Sequence, residues 1–434
     1  MGLSQMKTSK HAVVKILLTT LFLFYITSLL SCSGKQRPHS KRIVIWTNNS
    51  EFAQYVEYFN STHEDDKAVL VYKENPALSL PPAKDELPPD IVIGSWLRTE
   101  QTQKYFRKLD YIFDVNKLSS EFFYQQLLES GKVGAAQYLL PVSFNLPAII
   151  FENQNKNLVS DSYTLNLEQI RSAASAYNQK NRKGAYTKIG FTPLSNLDFL
   201  YLVTKLKGVN FHEEKGQIVW NQFRLDESTA YIKDWVIKEN ESAQTEQDFA
   251  YKYLFMPYYR QVSTGRTLFA YTTSDELFKV MSEQPLDIDY RWVAQDKMIF
   301  AEDSMTMMGI YKKANNVVGA TEFLIWFSQS KTQQQLLERK NKLHLQTEQF
   351  GIAGGFSAIR DVTEHVLPIF YPQLLSNLPP AQMVQLPQKL PARWEGYKMQ
   401  VVEQYLLNAL TAEDAKDILP MSDFEKEYRK KFYD

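Results

Sequence analysis

The chain of 434 residues carries 49 basic and 49 acidic side chains, a balance that offers no electrostatic footprint for nucleic acid. With 44% hydrophobic and 23% charged residues it has the composition of a folded globular protein, and the length for two domains. A single cysteine excludes a disulfide framework and a cysteine-held metal site.

The N-terminus is patterned for export. Lys7, Lys10 and Lys15 accompany an apolar run from Ile16 to Leu30, which has signal-peptide length and is too short to span a bilayer comfortably. The run closes on Leu29, Leu30, Ser31 and Cys32, which resembles the bacterial lipobox, where the leader is cut before a cysteine whose thiol carries diacylglycerol. Residues 1–31 then read as a lipoprotein signal peptide, Cys32 as the lipidation site, and 32–40 as a polar lipidated tether. After Leu30 no apolar stretch is long enough to cross a membrane. The expectation is therefore a chain exported and held by lipid at a bacterial membrane, facing the periplasm or the cell exterior.

From Arg42 onward the pattern becomes that of a fold. Residues 42–46, RIVIW, form a β-branched run that reads as a buried strand, ended by the polar TNNS. Asn49 or Ser50 can cap the helix that follows, where Phe52, Tyr55, Val56 and Phe59 recur at helical spacing. Ala68–Tyr72 and Asp90–Ile93 read as further strands. Strands nearly continuous in apolar residues, separated by a helix and a loop, predict a parallel sheet covered by helices, an α/β fold. Tyr251, Tyr253, Tyr258 and Tyr259 read as a core stripe or as part of an aromatic site. Ser304–Tyr311 is β-like and suited to a crossing strand, with Met305, Met307 and Met308 as core filler. Val317, Ala320, Phe323, Leu324 and Phe327 trace one face of a helix ended by Ser328 and Ser330.

In parallel sheets, ligands sit beyond the carboxyl ends of the strands. There the chain places Trp46, Thr47 and Asn48 after the first strand, and Ser95 and Trp96 after the third. An indole stacks on the C–H face of a pyranose while fixed polar groups meet its hydroxyls, so the two tryptophans suggest a sugar site. A place in the core of its strand is the other reading of Trp46.

The segments RIVIWTNNSEF, PPDIVIGSW, QYLLPVSFNLPAIIFEN, GFTPLSNLDFLYLVTKLKGVNF, GRTLFAYTTSDELF and MGIYKKANNVVGATEFLIWFSQSKTQQQLL follow one another in a recognisable order. Over essentially the whole mature chain the sequence resembles the extracellular solute-binding proteins of ABC importers, the maltose-binding branch among them. The resemblance implies a two-lobed periplasmic-binding-protein fold whose discontinuous lobes are joined by hinge crossovers. The N-terminal lobe would hold 41–144 and 304–353, and the C-terminal lobe 145–303 and 354–434. It further implies a monomeric binding protein and no enzyme, one that captures a small polar solute, a sugar or oligosaccharide, by hinge closure and presents it to ABC permease subunits.

Carried over position by position, the resemblance points to Trp46, Asn48 and Glu51 around the first strand, and to Ser95, Trp96 and Arg98 after the "PDI" strand. Phe144 and Asn145 would stand at the first crossover, Ser195 and Asn196 before a second-lobe helix, and Tyr271, Ser274 and Asp275 in the turn after GRTLFA. Trp394, in PARWEGYK, matches the family's late stacking aromatic, and both it and Trp96 are expected to be at least partly exposed to the cleft. Residues 370–391 depart from the family in being richer in proline and glutamine.

HExxH, GxSxG and the P-loop signature are absent, and the six histidines are scattered without metal-ligand spacing. No cofactor is expected. The carboxylate pairs Glu64–Asp65 and Glu213–Glu214 lie in hydrophilic stretches and read as solvated surface. Two other readings stay open: a surface lipoprotein of the same fold acting as a sensor or protein-interaction module, and a secreted carbohydrate-active hydrolase.

Overall fold

The computed structural model describes residues 42–114, 118–160, 162–343 and 349–432; the expected signal peptide, Cys32 and the tether lie outside the described residues. In chain order the main strands begin with β1 (Ile43–Thr47), β2 (Ala68–Tyr72), β3 (Ile91–Gly94), β4 (Leu140–Phe144) and β5 (Pro147–Glu152). They continue with β6 (Thr164–Leu165), β7 (Ala270–Thr273), β8 (Ile288–Val293), β9 (Thr306–Ile310) and β10 (Phe356–Ser357).

These strands form two sheets. One runs β10-β4-β9-β3-β1-β2 and the other β7-β5-β8-β6. β1 lies between β2 and β3, parallel to both, with Ile45 opposite Leu70 and Ile91. All five residues of β1 are buried, which is why its sequence is a continuous apolar run with no alternation. Helix α1 (Phe52–Thr62) returns over the sheet and buries Phe52, Tyr55, Val56 and Phe59. Neither proposed cap closes it in the usual way. Glu51 is the N-cap residue, and Asn49 Oδ1 accepts the Glu51 N–H at 2.9 Å in a local turn.

β9 is the crossing strand, antiparallel to both β3 and β4, with Met307 and Met308 fully buried in the core. A helix over Val317–Phe327 follows and buries Ala320, Phe323, Leu324 and Phe327. In the second sheet the alternation is clean. Ala148 and Ile150 of β5 face the core shared with the first sheet, while Ile149 and Phe151 face a second core under the C-terminal helices.

The chain passes between the sheets at Asn145–Leu146, through 294–305, and again after β10. Asn145 ties these passages together. Its Nδ2 donates to Gly354 O at 2.8 Å, its Oδ1 accepts from Ser274 Oγ at 2.6 Å, and its carbonyl accepts the Glu302 N–H at 2.9 Å. Phe356 and Ser357, expected in the C-terminal lobe, instead pair with Phe144 and Ser143 in the first sheet, because the tight turn at 351–355 sends the chain back beside β4. Gly355 permits that approach, since a Cβ there would stand 2.7 Å from Phe144 O. The tyrosine stripe divides: Tyr258 and Tyr259 pack against the core, but Tyr251 does not. Tyr251 is 79% exposed, beside an almost fully exposed Phe255, because the short Ala243–Lys252 helix turns only Glu246 and Phe249 inward.

Candidate functional site

The region between the sheets is built from the loop after β3, the segment 294–305, a hairpin of His212–Glu214 with Gln217–Val219, and the chain from 386 to 397. Ser95 Oγ donates to Ser304 O at 2.6 Å, joining the loop to the second passage. Trp96 adopts φ +64°, a left-handed conformation that a tryptophan holds only under local constraint, and its half-buried ring touches both cores. Two residues on, Arg98 is buried and donates through Nη2 to Pro387 O and Gln388 O, each at 3.2 Å. Burial pushes its guanidinium down to about 10 against the opposing attraction of Asp303. Asn75 Nδ2 donates to Ala392 O at 3.3 Å. The lobes thus touch along 386–393.

Under that segment lies a buried polar cluster. Asp303 receives Tyr201 Oη at 2.6 Å, Lys205 Nζ at 2.9 Å and Trp394 Nε1 at 3.2 Å. Burial raises its carboxyl, but Lys205 and these hydrogen bonds outweigh burial and hold it below the usual carboxylate range. Its neighbour Glu302 is partly buried. Burial pushes that carboxyl up to about 7, with Lys205 and Lys398 opposing, and Tyr271 Oη stands 3.4 Å from Oε1.

Two cavities open here. The larger, about 540 Å³, has Leu78 and Gln101 of the first lobe on one side and Glu213, Ile218, Tyr397 and Tyr428 of the second on the other. The smaller, about 340 Å³, is walled by Tyr201, Lys205, Phe211, Phe300, Asp303 and the 386–390 strand of chain. Among the described residues no group of three or more His, Cys, Asp or Glu side chains is placed to hold a metal, and no helix is long and apolar enough to cross a membrane.

The expected site residues divide accordingly. Ser95, Trp96, Arg98, Asn145, Tyr271 and Trp394 gather at the passages between the lobes. Trp394, however, is fully buried, against the expectation of partial exposure. Its ring is enclosed by Tyr201, Phe211 and Tyr397 at centroid distances of 5.7–5.9 Å. The other expected residues stand as follows. Trp46 is fully buried in β1 with the Lys73 ammonium 4.2 Å from its ring centroid, and Phe144 packs on Tyr124 and Phe356. Glu51 is buried in a pair with Lys340 and accepts from Tyr55 Oη. Asn48 is exposed and reaches Glu74 O. Ser195 is exposed, and Asn196 caps the helix Leu197–Leu206 by accepting the Phe199 N–H. Ser274 Oγ accepts the Leu146 N–H, and Asp275 accepts from Thr273 Oγ1.

Sequence reading missed Asp303, Glu302, Lys205, Tyr201, Glu213 and Tyr397. The adjacent acids just before a buried crossing strand were a usable signal for the first two. Glu213, read as solvated surface, is only 8% exposed, because alternation along its short strand turns it inward while Glu214 points out.

No protein-family model and no curated protein matches the chain. Solved structures do match. An ABC substrate-binding protein from Listeria monocytogenes, in complex with cycloalternan, superposes with a TM-score of 0.61 at 12% identity, over 90% of this chain and 98% of that one. The cyclic alpha-maltosyl-1,6-maltose binding protein from Arthrobacter globiformis gives 0.59 at 14% identity, over 89% and 97%. The maltose-binding periplasmic protein MalE from Listeria monocytogenes, in complex with maltose, gives 0.60 at 13% identity, over 91% and 99%. The chain therefore has the two-lobed α/β fold of the periplasmic solute-binding proteins. Along nearly its whole described length, that fold is the one these sugar-binding proteins use.

Proposed function

We propose that this protein is the lipid-anchored solute-binding component of an ABC importer and takes a sugar or oligosaccharide between its lobes. The observation that carries the reading is the cavity of about 540 Å³ with walls from both lobes, a volume that suits a di- or trisaccharide. The aromatic residues Tyr397 and Tyr428 and the polar Gln101, Gln217 and Glu213 line it. The protein contributes affinity and a closed state, with no bond made or broken. Opening breaks the Asn75 and Arg98 bonds to the 386–393 segment, while the Asn145 knot keeps the passages in register. A solute that touches both walls shifts the population toward closure by its differential affinity for that state. Anchoring through Cys32 would hold the closed complex near a permease.

The test is a thermal-shift screen of mono- and oligosaccharides followed by calorimetry on whatever shifts the midpoint. A ligand at 100 times its Kd stabilises the folded state by about 2.7 kcal/mol, well within reach of such a screen. Silence across gluco-, manno- and cyclic oligosaccharides would remove the sugar reading.

A further inference from the structure

Where the Ala243–Lys252 helix ends, the second lobe turns three large apolar side chains outward in a short stretch. Tyr251 is 79% exposed, Leu254 63% and Phe255 95%. The turn that carries them is pinned. The Leu254 N–H donates to Tyr251 O at 3.3 Å, the Met256 N–H to Tyr253 O at 2.8 Å, and Gln261 Nε2 to Met256 O at 2.9 Å. Held this way, the tip does not fold back onto the protein, and an apolar cluster rimmed by polar residues marks a contact surface. The rim here is basic. Lys252 Nζ and the Arg266 guanidinium stand 5.2 and 5.7 Å from the centroid of the Tyr253 ring, at the base of the tip. Arg266 O accepts the Ile189 N–H at 3.2 Å, which sets beside it the hairpin of Gln179–Lys180 with Tyr186–Lys188. The exposed turn of that hairpin carries Arg182 and Lys183, and Arg260 is exposed on the other side of the tip in sequence. Across 179–188 and 241–266 the exposed acids are Glu241, which accepts from Lys180 Nζ, and Asp248, which accepts from Gln244 Nε2 at 2.8 Å. The surface around the tip is therefore net positive.

We propose that this edge of the second lobe docks on an anionic bilayer surface, with Tyr251, Leu254 and Phe255 entering the interface and the surrounding cations meeting lipid phosphates. Charge and composition favour lipid over a protein partner. Lysine is depleted from protein–protein interfaces, whereas large apolar side chains ringed by Lys and Arg are the pattern of a membrane-surface contact. An anionic surface attracts each cation that comes within a screening length of it. The expected anchor brings such a surface within reach. From Cys32 to Arg42 a fully extended tether spans at most about 36 Å. That keeps the domain beside the membrane at high local concentration, so a patch too weak to bind alone becomes occupied. Anchor and patch are separable, since the first acts on any bilayer and the second on an anionic one.

The experiment follows amide hydrogen exchange of the full chain in detergent micelles, in vesicles of phosphatidylcholine, and in vesicles of phosphatidylcholine and phosphatidylglycerol in equal parts. Flotation of the same samples reports the anchor. Peptides covering 250–257 should exchange about threefold or more slowly in the anionic vesicles than in the neutral ones. The difference should vanish at about 0.5 M salt, where the screening length falls to about 4 Å. It should also vanish in the double variants Leu254→Ser with Phe255→Ser and Lys252→Glu with Arg266→Glu, all at exposed positions. The comparison of vesicles and of salt needs no variant, so it stands even if a variant folds poorly. Equal exchange in the two kinds of vesicle overturns the docking and leaves the anchor to be judged by flotation. Slowing that appears in micelles and grows with protein concentration makes the occupant a second copy and overturns the lipid surface. Slowing in native membrane fragments but not in anionic vesicles makes it a membrane protein and does the same. Flotation with anionic vesicles alone sustains the patch and overturns the anchor, and flotation with neither overturns both.

Discussion

Glu246 gives the protein a pH dependence whose sign is opposite to ordinary acid denaturation. The side chain is fully buried in the second lobe, where Oε1 accepts from Asn240 Nδ2 at 2.7 Å and Oε2 from the Leu194 N–H at 2.9 Å. Burial pushes the carboxyl up to about 7, and the two hydrogen bonds recover only part of that shift. Unfolded, the group titrates near its ordinary 4.5. Between those values folding takes up a proton, so the contribution is fully present below about 4.5 and is lost as pH rises through about 7. At about 1.4 kcal/mol per pH unit, the displacement corresponds to roughly 3 kcal/mol. Glu302, its carboxyl likewise pushed up to about 7, acts in the same direction. Carboxyls held low, such as Asp303, lose their stabilisation only below their ordinary 3.8, outside this window. Urea unfolding between about pH 5 and pH 8, with Glu246→Gln as the comparison, isolates the effect. Wild type should lose stability as pH rises, and its difference from the variant should change by roughly 3 kcal/mol across the range. Parallel curves for the two proteins would refute the account of a protonated buried carboxyl.

Trp394→Ala should cost roughly 3–5 kcal/mol in denaturant unfolding, as for a fully buried aromatic; a loss below about 1 kcal/mol would contradict its place in the core. At Gly190 a Cβ would stand 2.1 Å from Ala174 O and 2.4 Å from its Cα, both backbone atoms that cannot swing away. Gly190→Ala is therefore expected to destabilise by about 3 kcal/mol or more, and a wild-type melting curve would show that the two segments are not so close. Arg98→Ala removes two of the bonds between the first lobe and the 386–393 segment, leaving that of Asn75, so small-angle scattering of the unliganded protein should report a larger radius of gyration; an unchanged radius removes Arg98 as a latch. Cys32→Ser should leave protein that no longer enters the detergent phase on partitioning, and its full recovery there would sink the lipobox reading.

Local pattern carried much of the architecture. The apolar runs of β1 and β3 announced buried parallel strands, because a strand covered on both faces has no polar position to reveal an alternation. The spacing of Phe52, Tyr55, Val56 and Phe59 fixed which side of α1 packs, and the methionine-rich stretch at 306–310 is indeed the strand that returns to the first sheet. What pattern could not decide was which polar and aromatic groups meet. Trp394 and Trp96 look alike as tryptophans in polar stretches, yet one is sealed among Tyr201, Phe211 and Tyr397 and the other straddles both cores. Asn145 reads as one asparagine among many until Gly354, Ser274 and Glu302 arrive around it from segments more than a hundred residues away. Glu213 and Glu214 are chemically identical neighbours, separated only by the pleat of a short hairpin that buries one beside Glu100 of the opposite lobe. Burial and partner are properties of the assembled cleft. They depend on contacts across long sequence separations, which periodicity within one segment does not encode.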